Sequence, residues 1–89
     1  MKAIVSVFAK DAKGITAYVT ALLAGQEINI LDISQTLMQE YFAMIMLVDL
    51  TDCPLSFEEL SRYMKEKGME RSLDIHIQRQ DIFEAMHRI

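Results

Sequence analysis

"INILDISQTLMQEYFAMIMLVDL", residues 28–50, decides the fold. Its first half, Ile28 to Met38, reads as a strand whose apolar pattern changes hand partway. Ile28 and Ile30 share one parity, whereas Leu31, Ile33 and Leu37 share the other. Successive strand residues point to opposite faces, so one extra residue moves every later side chain across the sheet. The switch predicts a bulge or bend near Ile30-Leu31-Asp32. A polar turn at Gln39-Glu40 then leads into Tyr41 to Leu50, so apolar throughout that it belongs in the middle of a sheet. The stretch is a β-hairpin.

Towards the N-terminus, residues 2–9 are β-branched and aromatic-rich, with apolar residues on both parities, as suits a central strand. From Gly14 the period lengthens: Ile15, Val19, Leu22 and Leu23 form one helical stripe, with Gly25 placed to take a positive φ at its end. Beyond the hairpin a second helix is signalled by Ser56 and Glu59 at capping-box spacing. Leu55 and Leu60 stand at the staple positions, and Pro54 lies just outside. Phe57, Leu60 and Met64 form its buried stripe, Lys65 and Lys67 complement its dipole, and Gly68 is expected to end it. Residues 72–78 alternate cleanly, with Leu73, Ile75 and Ile77 inward and Asp74, His76 and Gln78 outward. In the final "DIFEAMHRI", Asp81 and Glu84 repeat the capping-box spacing, so a short amphipathic helix with Ile82, Phe83 and Met86 as contact residues is expected to dock onto something.

The order β-α-β-β-α-β gives an α+β, ferredoxin-like sandwich over residues 1–89: a four-stranded antiparallel sheet, two helices on one face and a short C-terminal helix. The first and third strands sit centrally in this plan and the second at an edge. A chain of 89 residues buries only roughly 60–65% of the surface it exposes when unfolded, yet 52% of this one is hydrophobic. The excess apolar area points to a homo-oligomer, a dimer or a dimer of dimers, with a dense single core as the alternative. A net charge of −4 removes the usual driving force for nucleic-acid binding. The longest apolar run is too short to span a bilayer, the Met1-Lys2-Ala3 start has no signal h-region, and Cys53 is a lone thiol, so a reduced cytoplasmic setting is the expectation.

Several chemistries drop out for want of their residues. An RNA-recognition sheet needs aromatics along its central strands with a basic lead into the third, and only Phe8, Tyr41 and Phe42 are available. Paired cysteines for a metal are missing between the first strand and helix. So is the arginine an acyl-phosphate hydrolase needs in that loop, since the first arginine is Arg62. His76 and His87 have no Ser or Cys beside them and no metal-ligand spacing. No catalytic residue, metal ligand or cofactor is therefore assigned. Met44, Met46 and Met64 read as core fillers.

What remains is the loop "FAKDAKGIT" at 8–16 with "EINILDISQT" at 27–36. The loop is placed at the same end of the sheet as the start of the second strand, so that Asp11 and Gly14 approach Asn29 within the subunit or across a dimer. The first helix presents free amides there, which attract a carboxylate. Asp11 selects an amine, Asn29 both donates and accepts, and Ile15 and Ile30 supply a small apolar lining; together these describe an amino acid. A plainer reading stands beside this one. Gly14 and Asp11 then only start and cap the helix, Asn29 only enters the strand, and Lys10 and Lys13 are solvated charges.

"KDAKGI" at 10–15 followed by "INILDISQT" at 28–36, with "EYF" at 40–42 and "IFEAM" at 82–86, closely resembles the ACT domain, and most of all the stand-alone bacterial ACT proteins of the UPF0237 family. The resemblance covers essentially the whole chain. It implies side-by-side pairing into an eight-stranded sheet, with amino acids bound at the interface. It also implies that Gly14 is the motif glycine, Asp11 the preceding acidic residue, and Asn29 with Ile30 the facing strand. Ala12-Lys13 replaces the Arg-Pro or similar pair of many relatives, so the resemblance names no particular ligand. The implied function is a non-catalytic regulatory module acting in trans on a partner enzyme; the alternative is a purely structural dimerisation domain that binds nothing.

Overall fold

The computed structural model describes residues 1–10 and 13–81. In it Lys2–Ala9 (β1), Asn29–Met38 (β2), Tyr41–Asp49 (β3) and Asp74–Arg79 (β4) form one sheet in the order β2-β3-β1-β4, with Ile15–Gly25 (α1) and Phe57–Met69 (α2) as its helices. All neighbouring strands are antiparallel. This is the ferredoxin-like plan, with β1 and β3 central as expected. The C-terminal helix expected beyond Gln80 falls, apart from residues 80–81, outside the described residues.

The core follows from strand alternation. Ala3, Val5 and Val7 of β1, Met44, Met46 and Val48 of β3, and Ile75 and Ile77 of β4 share the face that the helices cover. Val19 and Leu23 of α1 and Leu60 and Met64 of α2 close the core from the other side, so the three core methionines are where their pattern put them. β2 breaks register between Ile30 and Asp32, at the residues where its apolar parity switches. Before the break Ile30 faces the helices opposite Val48; after it Ile33 and Leu37 do so, opposite Met46 and Phe42. The bulge thus keeps the apolar residues of a two-parity strand on one face.

α2 starts as its sequence requires. The Glu59 amide donates to Ser56 Oγ at 3.1 Å, and the Ser56 amide donates to Glu59 Oε1 at 2.9 Å. That bond, with the Ser56 hydroxyl, holds the Glu59 carboxyl below its ordinary pKa.

Two glycines differ from expectation. Gly25 is the last residue of α1 with an ordinary φ, and the left-handed residue beyond it is Glu27 (φ 58°). Gly68 does not end α2, which runs on to Met69. It lies buried inside the helix, where a Cβ would meet Ile75 Cγ1 and Cδ1 at 2.9 Å and the Leu73 carbonyl at 3.0 Å. Its role is close approach of helix and strand. The turn itself is made by Ser72 (φ 58°), which delays β4 to Asp74 rather than residue 72.

Gly68→Ala is therefore expected to destabilise, the overpacking of about 1–3 kcal/mol outweighing the roughly 1 kcal/mol that alanine gains in helix propensity. Gly25→Ala, with open space around the new methyl, is expected to be neutral or to stabilise by up to about 1 kcal/mol. Urea midpoints for the two variants measure the contrast. At the cap, Ser56→Ala should cost about 1 kcal/mol. A carboxyl whose folded pKa is depressed stabilises above its unfolded pKa and loses that contribution as the pH falls through the folded value. Wild type should accordingly lose Tm relative to Glu59→Gln on acidification from pH 7 to pH 3, as thermal melts across that range would record.

Candidate functional site

The loop after β1 is the place where sequence and structure concentrate polar groups. Gly14 sits at the N-cap of α1 with φ 74° and ψ −1°, a left-handed conformation that costs a side-chain-bearing residue about 1–2 kcal/mol. Its carbonyl accepts from the Tyr18 amide at 3.1 Å, but as the N-cap residue glycine has no side chain to satisfy the first-turn amides. Those amides carry the positive end of the helix dipole.

Beside them lies a hollow of about 220 Å³ lined by Lys10, Lys13, Gly14, Tyr18, Arg71 and Leu73, among others. Three cations converge there in a chain whose net charge is −4. Arg71, in the turn after α2, stands 4.3 Å from the centre of the Tyr18 ring. The Tyr18 hydroxyl in turn donates to the Lys67 carbonyl at 2.9 Å, tying α1 to the end of α2. Ring and guanidinium thus hold each other in place. A helix N-terminus with an arginine fork and two ammonium groups offers what a carboxylate needs.

Of the sequence-assigned residues, Gly14 and Ile15 line this hollow, Ile15 with its side chain in the core. Asp11 lies outside the described residues. Asn29 and Ile30 are elsewhere. Asn29 pairs with Asp49, which pairs with Lys2, whereas Ala9 at the other end of β1 pairs with Phe42 and so lies level with Leu37. Seven strand steps, about 23 Å, separate the two ends. The expectation that Asn29 and Gly14 meet within one subunit is corrected. β1 and β2 both run antiparallel to β3 and hence parallel to each other, and α1 carries the chain back between them, so β2 begins where β1 began. At that end the Asp49 carboxylate accepts from the Thr51 hydroxyl and amide, which hold its pKa low.

Tyr18 and Arg71 were missed in the sequence. Tyr18 stands one helical turn after Gly14, which is a usable signal; Arg71 is far away in the chain and reaches the loop only because β4 pairs with β1. Among the described residues no three His, Cys, Asp or Glu side chains gather to hold a metal, and no helix is long and apolar enough to cross a membrane.

Residues 2–78 match the family model of the ACT domain. The chain belongs to the ACT domain family. A UPF0237 protein of Clostridium acetobutylicum is 51% identical over 89 residues, all of both chains, and one of the archaeon Methanocaldococcus jannaschii is 43% identical over 88 residues, 99% of this chain and 98% of that one. Among solved structures, an ACT domain protein from Streptococcus pneumoniae superimposes with a TM-score of 0.85 at 41% identity over 98% of each chain. ACT domains are generally small-molecule-binding regulatory modules that commonly oligomerise, and membership indicates a regulatory rather than a catalytic domain. Within this ACT domain, Tyr18→Phe should cost about 1 kcal/mol through the orphaned Lys67 carbonyl, and a double-mutant cycle with Arg71→Ala should give a non-zero coupling through the ring.

Proposed function

We propose that this ACT domain is a regulatory homodimer that binds a small amino acid at two equivalent sites, each shared between subunits, and acts in trans on a partner enzyme in the cytoplasm. The observation that carries the reading is the occurrence of a cation-flanked α1 N-terminus, whose N-cap glycine has no side chain, together with a β2 that pairs with β3 on one side only among the described residues. That edge strand leaves Leu31, Ile33, Leu37 and Met38 exposed beside a row of unpaired backbone groups. Antiparallel pairing of two β2 edges satisfies both and makes a continuous eight-stranded sheet. It also sets Asn29 and Ile30 of one subunit beside the Met38 end of its partner, which is the end where the partner's α1 begins. The 23 Å that separates the two halves of the site within a chain is closed by the two-fold axis. In this arrangement the carboxylate lies at the α1 N-terminus with Arg71, Asp11 receives the amine, Asn29 bonds the ligand backbone, and Ile15 and Ile30 limit the side chain.

Thermal-shift titrations against the common amino acids test this, since a ligand at 100 times its Kd adds about 2.7 kcal/mol of stability. One or a few small amino acids should raise Tm with concentration. Gly14→Leu should abolish the shift, and Arg71→Ala and Asn29→Ala should weaken it about tenfold or more. All three should keep a dimeric mass by light scattering. A dimer that no amino acid stabilises would establish the structural alternative, and a monomer at micromolar concentration would refute both.

A further inference from the structure

The sheet face turned away from the helices has no cover among the described residues. Ile4 and Phe8 of β1 stand there beside Tyr41, Ala43, Ile45 and Leu47 of β3, with Asp32 on β2 and Asp74 on β4 at its borders. Ala43 is the one small residue in that apolar set. Across the strands it lies between Phe8 and Thr36, and along β3 between Tyr41 and Ile45. A methyl group ringed by larger side chains leaves a depression, and Met38, opposite Tyr41, bounds it at the hairpin end. The result is a hollow of about 410 Å³ lined by Phe8, Lys10, Thr36, Met38, Tyr41 and Ala43, among others. Phe8, Tyr41 and Met38 are about half exposed or more, and apolar surface gathered in this way is a mark of a binding surface.

We propose that this hollow binds a small organic monoanion with an apolar body, an aryl- or alkyl-carboxylate. Its volume lies within the roughly 300–1,000 Å³ of small-molecule sites, and its apolar walls with few polar groups follow their pattern. Those groups are the exposed Lys10 ammonium and the hydroxyls of Thr36 and Tyr41. Lys10 is the single charged residue of the lining, and no carboxylate among the described residues pairs with it. A cation at the rim of an apolar recess selects an anionic head with an apolar tail. An amine finds no acid in the lining to receive it, so an amino acid is the poorer fit here. Phe8 is supported for this role from the far side: its ring meets that of His76 edge-on, with 6.3 Å between centres, and His76 Nε2 stands 2.9 Å from Asp74. A second copy laid on this face brings two further carboxylates, Asp32 and Asp74, to borders that already carry two, whereas a free carboxylate needs only Lys10. Ala9 and Lys10 also line the hollow at α1, so the two recesses flank the end of β1, but this site does not rest on the amino-acid reading.

Chemical-shift titration of the isotope-labelled full chain with hydrocinnamate and with octanoate tests the assignment. Saturable shifts are expected at Phe8, Thr36 and Ala43. The uncharged amides of the same acids should bind about fivefold more weakly, as should the acids to Lys10→Gln. Ala43→Leu, which fills the floor of the hollow on an open sheet face, should abolish saturable binding with no change in Tm or mass, whereas Arg71→Ala should leave it intact. Absence of saturable shifts at millimolar concentration overturns the proposal, as do shifts centred on Gly14 and Arg71, or equal affinity for acid and amide. A change of mass in Ala43→Leu makes the face a contact between copies and overturns it equally. Should that variant not fold, the map of shifts and the acid–amide comparison on the wild type decide alone.

Discussion

Everything else in the molecule depends on β1 being held from both sides. Val5 lies between Met46 and Ile77, and Val7 between Met44 and Ile75, all of them buried. A strand with neighbours on both edges and helices over one face loses all solvent on that face, so its alternate residues there must be small or β-branched and apolar, as Ala3, Val5 and Val7 are. With β1 fixed centrally, the first crossover has to deliver β2 to the far side of β3, and the second has to bring β4 to the remaining edge of β1. The turn before β4 then arrives beside the loop that leaves β1. The hollow with Lys10, Lys13 and Arg71 is a consequence of that adjacency.

The same order leaves β2 under-covered. α1 buries its Ile15, Val19 and Leu23 stripe and lies alongside β2, where the Thr16 hydroxyl is 3.4 Å from Gln35 Oε1, yet β2 has no buried residue although it is ten residues long. Its bulge aligns Ile30, Ile33 and Leu37 on the helix side, but Ile33 and Leu37 stay exposed there. An edge strand of this length is a hazard in a chain that stays alone, and is ordinarily shortened, charged or covered. Here the exposed residues are leucine, isoleucine and methionine, a composition suited to a strand that pairs.

Local signals in the sequence were legible where one element alone determined them. The capping box of Ser56 and Glu59, the parity switch at Ile30 to Asp32, the alternation of β4 and the order of elements all follow from neighbours a few residues apart. The misreadings came from contacts between elements. Gly68 looked like a helix terminator because glycine commonly is one; its burial against Ile75 and Leu73 exists only once α2 and β4 pack. Arg71 could not be assigned to the α1 N-terminus for the same reason, Tyr18 being 53 residues earlier. The loop before Gly14 and the start of β2 were expected at one end of the sheet but lie at opposite ends within the subunit, because residue chemistry identifies complementary groups without fixing the direction of the strands that carry them.

Among the described residues two apolar surfaces therefore remain outside the core, and they differ physically. The β2 edge combines apolar side chains with directional backbone donors and acceptors, so it discriminates register and polarity and accepts only another strand. The open face presents side chains alone over strands whose backbone is already paired, so packing there is non-directional and is governed by shape, width and the flanking carboxylates. A chain this small cannot internalise both with two helices. Dividing the excess between a strand-selective edge and a shape-selective face keeps the two independent, because a strand added at the edge would leave the Ile4, Ile45 and Leu47 surface untouched.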